Sequence, residues 1–349
     1  MSELSELVLP DYGNRCTTGI VPALTWGTST SLLGDDVLAA PATVLFVIDS
    51  LGWHQLEERR HLAPNLSAML GGSATTIAPS TTAAARTSIS TGVPPGEHGV
   101  VGYRFPAGGA VMNALRWTST LGDHRDVISP RTLQPVAPLA GGSWSVVSDR
   151  RFATSGFTET YLGSAPYIGF EHPSSLVAEV RNLVLDGESL VYAYYDGLDH
   201  VAHIHGVTGS HFDLELAFCD WLVGVLQRAL PSGTALVVTA DHGQIDAHPL
   251  VPIGSELEPL VSERSGEPRF RWLHATPGAE HDLFEVAQSH HGDRAWVRTL
   301  EQIVDERWLG PTVSDAARTR LGDVALIARE PVGFEDPAEI HGDRLVGRH

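Results

Sequence analysis

Residues 42–50 read ATVLFVIDS. A nearly continuous apolar run ends in Asp49. A strand with one wet face would alternate apolar and polar residues. A run without alternation marks a strand buried on both faces, as in a parallel sheet. Its final acid then emerges at the carboxyl edge, where open α/β sheets bind their ligands. The design recurs along the chain: SWSVVSD (143–149), SLVYAYYDGLD (189–199) and TALVVTADHG (234–243). Between the last two lies SHFDLELAFCDWLVGVLQRAL (210–230). There Leu214, Phe218, Trp221, Leu222, Val225, Leu226 and Ala229 fall on one face of a predicted helix. Strands alternating with helices predict an α/β fold with a mostly parallel central sheet and helices on both faces.

The expected organisation is an N-terminal segment (1–40), a core (41–243 and 323–349) and an inserted cap (244–322). The cap starts polar and Pro-rich, then offers a strand (RFRWLHA, 269–275), a helix and a second strand (RAWVRTL, 294–300). GDVALIARE (322–330) reads as a late return to the main sheet. A second insertion covers roughly 101–140.

Composition excludes several roles. All 23 basic residues are Arg, and the formal charge is −19. A polymeric nucleic acid finds no broad basic face on such a chain. A small anionic substrate remains compatible if bound divalent cations reverse the charge locally. Cys16 and Cys219 form no CxxC pair and read as buried, reduced thiols. The segment MSELSELVLPDYG has neither the basic start nor the apolar centre of a signal peptide. No apolar run is long enough to span a bilayer. The expected location is the cytoplasm, without a membrane partner.

Acids and histidines cluster after the strands. Asp49 follows the first, Asp196 and His200 the second (YYDGLDHVAH), and Asp241 with His242 the third (TADHG). Each alone is ordinary turn or capping chemistry. Together, carboxylates and imidazoles make mixed oxygen and nitrogen sites suited to Zn²⁺ or Mn²⁺. Two adjacent sites make a two-metal centre for phosphoryl transfer. That explains the hydroxyl-rich PSTTAAARTSISTG (79–92). A Thr hydroxyl is a poor nucleophile until metal coordination lowers its pKa. Thr82 opens a helical segment whose N-terminus favours a phosphate oxygen. Thr81 is the neighbour open to confusion with it.

With these residues the chain resembles the alkaline phosphatase superfamily, in particular the type I phosphodiesterase/nucleotide pyrophosphatase family. In that family a nucleophilic Thr precedes the Gly of a Thr-Gly pair by ten residues, as Thr82 precedes Gly92 here. Its Asp-x-x-x-His is matched by Asp196 and His200, and its Asp-His-Gly by Asp241, His242 and Gly243. The resemblance implies one ion on Asp49, Thr82, Asp241 and His242. It implies a second on Asp196, His200 and a late histidine, either His349 in RLVGRH or His341 in AEIHGD, with His349 preferred. NALRWTS (113–119) and RRFATSGFT (150–158) are similar to actinobacterial alkaline phosphatase family proteins, some of which resemble cyclic di-AMP phosphodiesterases. The implied activity is phosphodiester or phosphoanhydride cleavage in small nucleotides through a phospho-threonine. A metal-dependent phosphomonoesterase or phosphomutase, and a non-catalytic nucleotide-binding protein, are the alternatives. Arg86, Tyr103 and Trp117 are candidate substrate contacts.

Overall fold

The computed structural model describes residues 7–339 and 345–349. The run that opened the sequence analysis forms β1 (Ala42–Ile48). It lies in a parallel five-stranded sheet with β2 (Ser145–Asp149), β3 (Tyr167–Phe170), β4 (Leu190–Tyr195) and β5 (Thr234–Thr239). The order is β3-β2-β4-β1-β5. Side chains of β1 alternate between two cores, which is why the run needs no polar phase. Leu45 and Val47 join one core, and Val44, Phe46 and Ile48 the other. In β4, Tyr192 and Tyr194 face the first core, and Val191, Ala193 and Tyr195 the second.

Helices cover both faces. On the first lies α1 (Thr82–Thr91), buried along its whole length. On the second pack α2 (Pro173–Leu185), α3 (Gly197–His205) and α4 (Ser210–Ala229). The face predicted for α4 is corrected in part. Phe212, Leu216, Cys219, Leu222, Val223 and Leu226 are buried, while Leu214 and Trp221 stand 71% and 50% exposed. The helix is apolar over more than half its circumference, so periodicity alone placed the buried stripe about one residue off.

A second sheet is antiparallel. It contains β6 (Val261–Glu267), β7 (Phe270–Ala275), β8 (Ala295–Thr299) and β9 (Val324–Ala328) in the order β6-β7-β9-β8. The expected return of residues 322–330 to the main sheet is therefore corrected. β9 pairs with β7 and β8 instead. It is fully buried, and an unbroken apolar run records burial on both faces without saying which sheet provides it. One face of this second sheet packs on α5 (Glu280–His291) through Leu273, Leu283, Val324 and Leu326. The other face, through Phe270, Trp272 and Ile327, joins the same core as Leu45 and Tyr192. Finally, residues Gly347–Arg348 pair antiparallel with Ile245–Asp246, just after β5. No helix among the described residues is long and apolar enough to cross a membrane.

Candidate active site

β4, β1 and β5 are neighbours, with Ile48 opposite Tyr195 and Val47 opposite Thr239. Their carboxyl ends therefore release Asp49, Asp196 and Asp241 side by side, although these residues are far apart in the chain. Asp49, Asp241 and His242 bring one ligand atom each within 4.8 Å of one another. All three are buried. His242 Nε2 lies 3.4 Å from Asp49 Oδ1 and 3.7 Å from Asp241 Oδ2. Thr82 Oγ1 completes the group, 3.0 Å from the same nitrogen.

Thr82 is the first residue of α1. The first amides of a helix have no intrahelical acceptor, and no side chain caps them here. Their free N–H groups and the helix dipole favour an anion beside the hydroxyl. The helix is closed by Gly92 at φ 77°. A Cβ there would also meet Pro22 Cγ at 2.2 Å, which accounts for the glycine ten residues beyond Thr82.

A second cluster unites Asp199, His203 and His349. Here the sequence-based choice is corrected. The structure does not bring Asp196 and His200 to His349. Asp196 precedes α3 and pairs with Arg151 at 3.1 Å, and His200 is exposed. The stretch DGLDHVAH contains two interleaved Asp-x-x-x-His pairs, offset by three residues. On a helix that offset turns a side chain by about 60°. The turn points Asp199 and His203 to the site and His200 to solvent. His203 Nε2 lies 3.4 Å from Asp199 Oδ1.

The short Gly347–Arg348 strand delivers His349. Val346 N–H donates to His203 O at 2.8 Å, and His203 Nδ1 meets Gly347 O at 2.9 Å. Arg348, itself buried, donates to Ala247 O at 2.8 Å. The His349 ring stands 4.0 Å from that of His242 and 5.5 Å from that of His203, centroid to centroid, so it links the clusters. His341 lies outside the described residues.

The electrostatics are those of a cation site. Burial, then the neighbouring Asp49, pushes Asp241 and Asp199 well above the usual carboxylate range. Burial lowers His242 to about 4 and also lowers His203 and His349, leaving imidazole lone pairs free to bind a metal. Asp49 Oδ1, Asp241 Oδ2 and His349 Nδ1 are buried without a hydrogen-bond partner. Buried polar atoms are rarely left so. Mixed carboxylate and imidazole donors with orphaned lone pairs fit a divalent ion in each cluster.

Three supporting residues escaped sequence reading. The Tyr194 hydroxyl, which burial pushes up so that it keeps its proton, donates to Asp49 Oδ2 and leaves Oδ1 free. Ser50 and Gln244 lie between the clusters. The candidate substrate contacts fare less well. Trp117 is 1% exposed in the core, its indole N–H on Ile128 O, so no face is open for a base. The Tyr103 hydroxyl is engaged by Glu339. Arg86 is buried among tyrosines, 3.3 Å from the Tyr194 ring centroid, and donates to the Tyr161 hydroxyl. A cavity of about 410 Å³ beside the open edge of β5 touches the site through Asp241, His242 and Gly243, and Thr82 is not in its wall.

The family model described as type I phosphodiesterase / nucleotide pyrophosphatase matches residues 43–349. No curated protein matches the chain significantly. Among solved structures, murine ectonucleotide pyrophosphatase/phosphodiesterase 5, as an inactive variant in complex with AMP, aligns with a TM-score of 0.68 at 16% identity, covering 88% of this chain and 83% of that one. A second structure of the same murine protein gives the same values. The human protein gives a TM-score of 0.63 at the same identity and coverage. At that identity the likeness establishes the α/β fold.

Proposed function

Because the chain belongs to the type I phosphodiesterase/nucleotide pyrophosphatase family of enzymes, we propose that it hydrolyses small phosphodiesters or phosphoanhydrides with Thr82 as nucleophile. The observation that carries this reading is the 3.0 Å contact of Thr82 Oγ1 with His242 Nε2. It sets a hydroxyl at a helix N-terminus inside a cluster of orphaned metal-ligand atoms.

Asp49, Asp241, His242 and Thr82 would hold one divalent ion, and Asp199, His203 and His349 a second, Zn²⁺ or Mn²⁺ by donor type. When bound, such ions neutralise the phosphate and lower the pKa of a coordinated hydroxyl. The chain's own groups do the rest. The Tyr194 hydroxyl orients Asp49. First-turn amides of α1 receive a non-bridging phosphate oxygen. Thr82 Oγ forms a bond to phosphorus as the bond to the leaving oxygen breaks in line. The leaving alcohol or phosphate departs and phospho-Thr82 remains. Water then attacks phosphorus from the opposite side and restores the threonine.

The substrate class follows from three considerations. One murine neighbour is in complex with AMP, which supports a nucleotide. A net charge of −19 disfavours long polyanions. The sequence resemblance favours cyclic di-AMP or linear dinucleotides. Two unpaired buried thiols, Cys16 and Cys219, support a reducing, cytoplasmic setting.

The test is a panel of cyclic dinucleotides, linear dinucleotides, nucleotide sugars, a chromogenic diester and a chromogenic monoester, before and after chelation. Diester turnover should exceed monoester turnover and vanish on chelation. Turnover of the monoester alone would favour the phosphomonoesterase alternative. Undiminished activity after exhaustive chelation would refute the metal reading.

A further inference from the structure

Ser50 follows Asp49 with φ 65°. This left-handed region crowds any Cβ and ordinarily calls for glycine. A side chain retained there persists because its surroundings hold it, and such positions concentrate at functional sites. The Ser50 hydroxyl is buried between the two clusters. It lies 2.8 Å from Asp199 Oδ1, 3.2 Å from His242 Nδ1 and 2.9 Å from Gln244 Nε2. Gln244 Nε2 also reaches Asp199 Oδ1 at 2.5 Å.

With the His242 Nε2 lone pair engaged, the donors and acceptors around Ser50 can run in one direction. The ring proton is then on Nδ1, where it is shared between Ser50 Oγ at 3.2 Å and Gly243 O at 3.3 Å. The Ser50 proton donates to Asp199 Oδ1. Gln244 donates to both oxygens. Ser50 Oγ thus uses its one donor and both acceptor positions. Together with Gly243 O, this orients the His242 ring from behind, as second partners of metal-binding histidines do. It also fixes a carboxylate of the other cluster.

We infer that Ser50 is a positioning residue whose hydroxyl couples the two ion sites, so that ordering His242 for one ion orders Asp199 for the other. The inference rests on the two-ion reading given above.

Ser50→Gly and Ser50→Ala, in the full chain, separate the hydroxyl from the backbone. Glycine relieves the φ and keeps the amide that donates to Asp241 Oδ1 at 3.3 Å. Alanine keeps the strained φ, and both variants lack the oxygen. Mn²⁺ is titrated calorimetrically into metal-free wild type and variants, with thermal unfolding measured in chelator. Wild type should bind two ions. Ser50→Gly should unfold at or above the wild-type temperature, yet bind at least one ion about 10–100-fold more weakly. Ser50→Ala should show the same loss of affinity. Wild-type affinity for both ions in Ser50→Gly would overturn the inference and leave the two-ion reading standing. A loss in Ser50→Ala that Ser50→Gly does not share would overturn it too, by assigning the effect to the backbone. Fewer than two ions on wild type would refute the two-ion reading, and the coupling with it.

Discussion

Replacing Gly347 by alanine tests how His349 is held at the site. A Cβ at this position would lie 2.4 Å from Ala202 O and 2.4 Å from Gln244 Oε1. The glutamine is held by its hydrogen bonds to Ser50 and Asp199, and the carbonyl belongs to α3, so neither yields freely. The strand must therefore lift from α3, and two contacts measured above are at risk: Val346 N–H to His203 O and His203 Nδ1 to Gly347 O. Overpacking of this kind costs about 1–3 kcal/mol. Lifting a two-residue strand relieves that cost locally, so unfolding in chelator should shift little. The cost reappears when His349 is required as a ligand. At about 1.4 kcal/mol per tenfold, the Asp199–His203–His349 site should bind its ion about 5–150-fold more weakly. Calorimetric titration of Mn²⁺ into the metal-free variant reads this directly, with turnover of a chromogenic diester alongside. Wild-type affinity at both sites would show that His349 does not depend on this close approach, and the reasoning would fail.

Thr82→Ala should lose most turnover with the fold intact, Thr82→Ser should retain part of it, and Thr81→Ala should stay active. An inactive Thr81→Ala beside an active Thr82→Ala would reverse the assignment. Asp199→Asn should weaken binding at the second site, whereas Asp196→Asn, which loses a pair with an exposed Arg151, should leave ion stoichiometry unchanged. The opposite pattern in a metal titration would restore the pair first chosen from the sequence. In chelator, the carboxyl of Asp241 is raised in the folded state by burial and Asp49. Its contribution to stability is thus fully present below its unfolded pKa and is lost as pH rises through the folded one. Asp241→Asn should therefore melt above wild type at about pH 8, with the gain vanishing near about pH 4. A gain that does not change with pH would argue against a raised Asp241.

The strands and their terminal acids were legible because burial on both faces writes an unbroken apolar run, and a parallel sheet puts every such end on one edge. Thr82 and the Asp241–His242 pair were legible because each sits directly at the end of an element. Spacing could not choose between the two Asp-x-x-x-His pairs, since both fit. The signal that separates them is the apolar side of α3, marked by buried Leu198 and Ala202. Asp199 and His203 lie about 100° from that side, at its edge, and Asp196 and His200 nearly opposite. Ser50, Gln244 and Tyr194 were illegible because their roles depend on contacts across strands and on a left-handed φ that sequence does not print. The placement of β9 failed for a related reason, since an apolar run reports burial and not partners.

The second sheet shares a core with the first. Phe270, Trp272 and Ile327 are packed into the same apolar mass as Leu45 and Tyr192. A flap that opens on a hinge needs a wet, weakly held seam, and this seam is dry. The second sheet is therefore a fixed part of the body and not a hinged flap. It also follows that excising the segment from Val261 to Ala328 would yield no smaller enzyme, since the cut would remove part of the core that holds Leu45 and Tyr192 and leave apolar surface to aggregate.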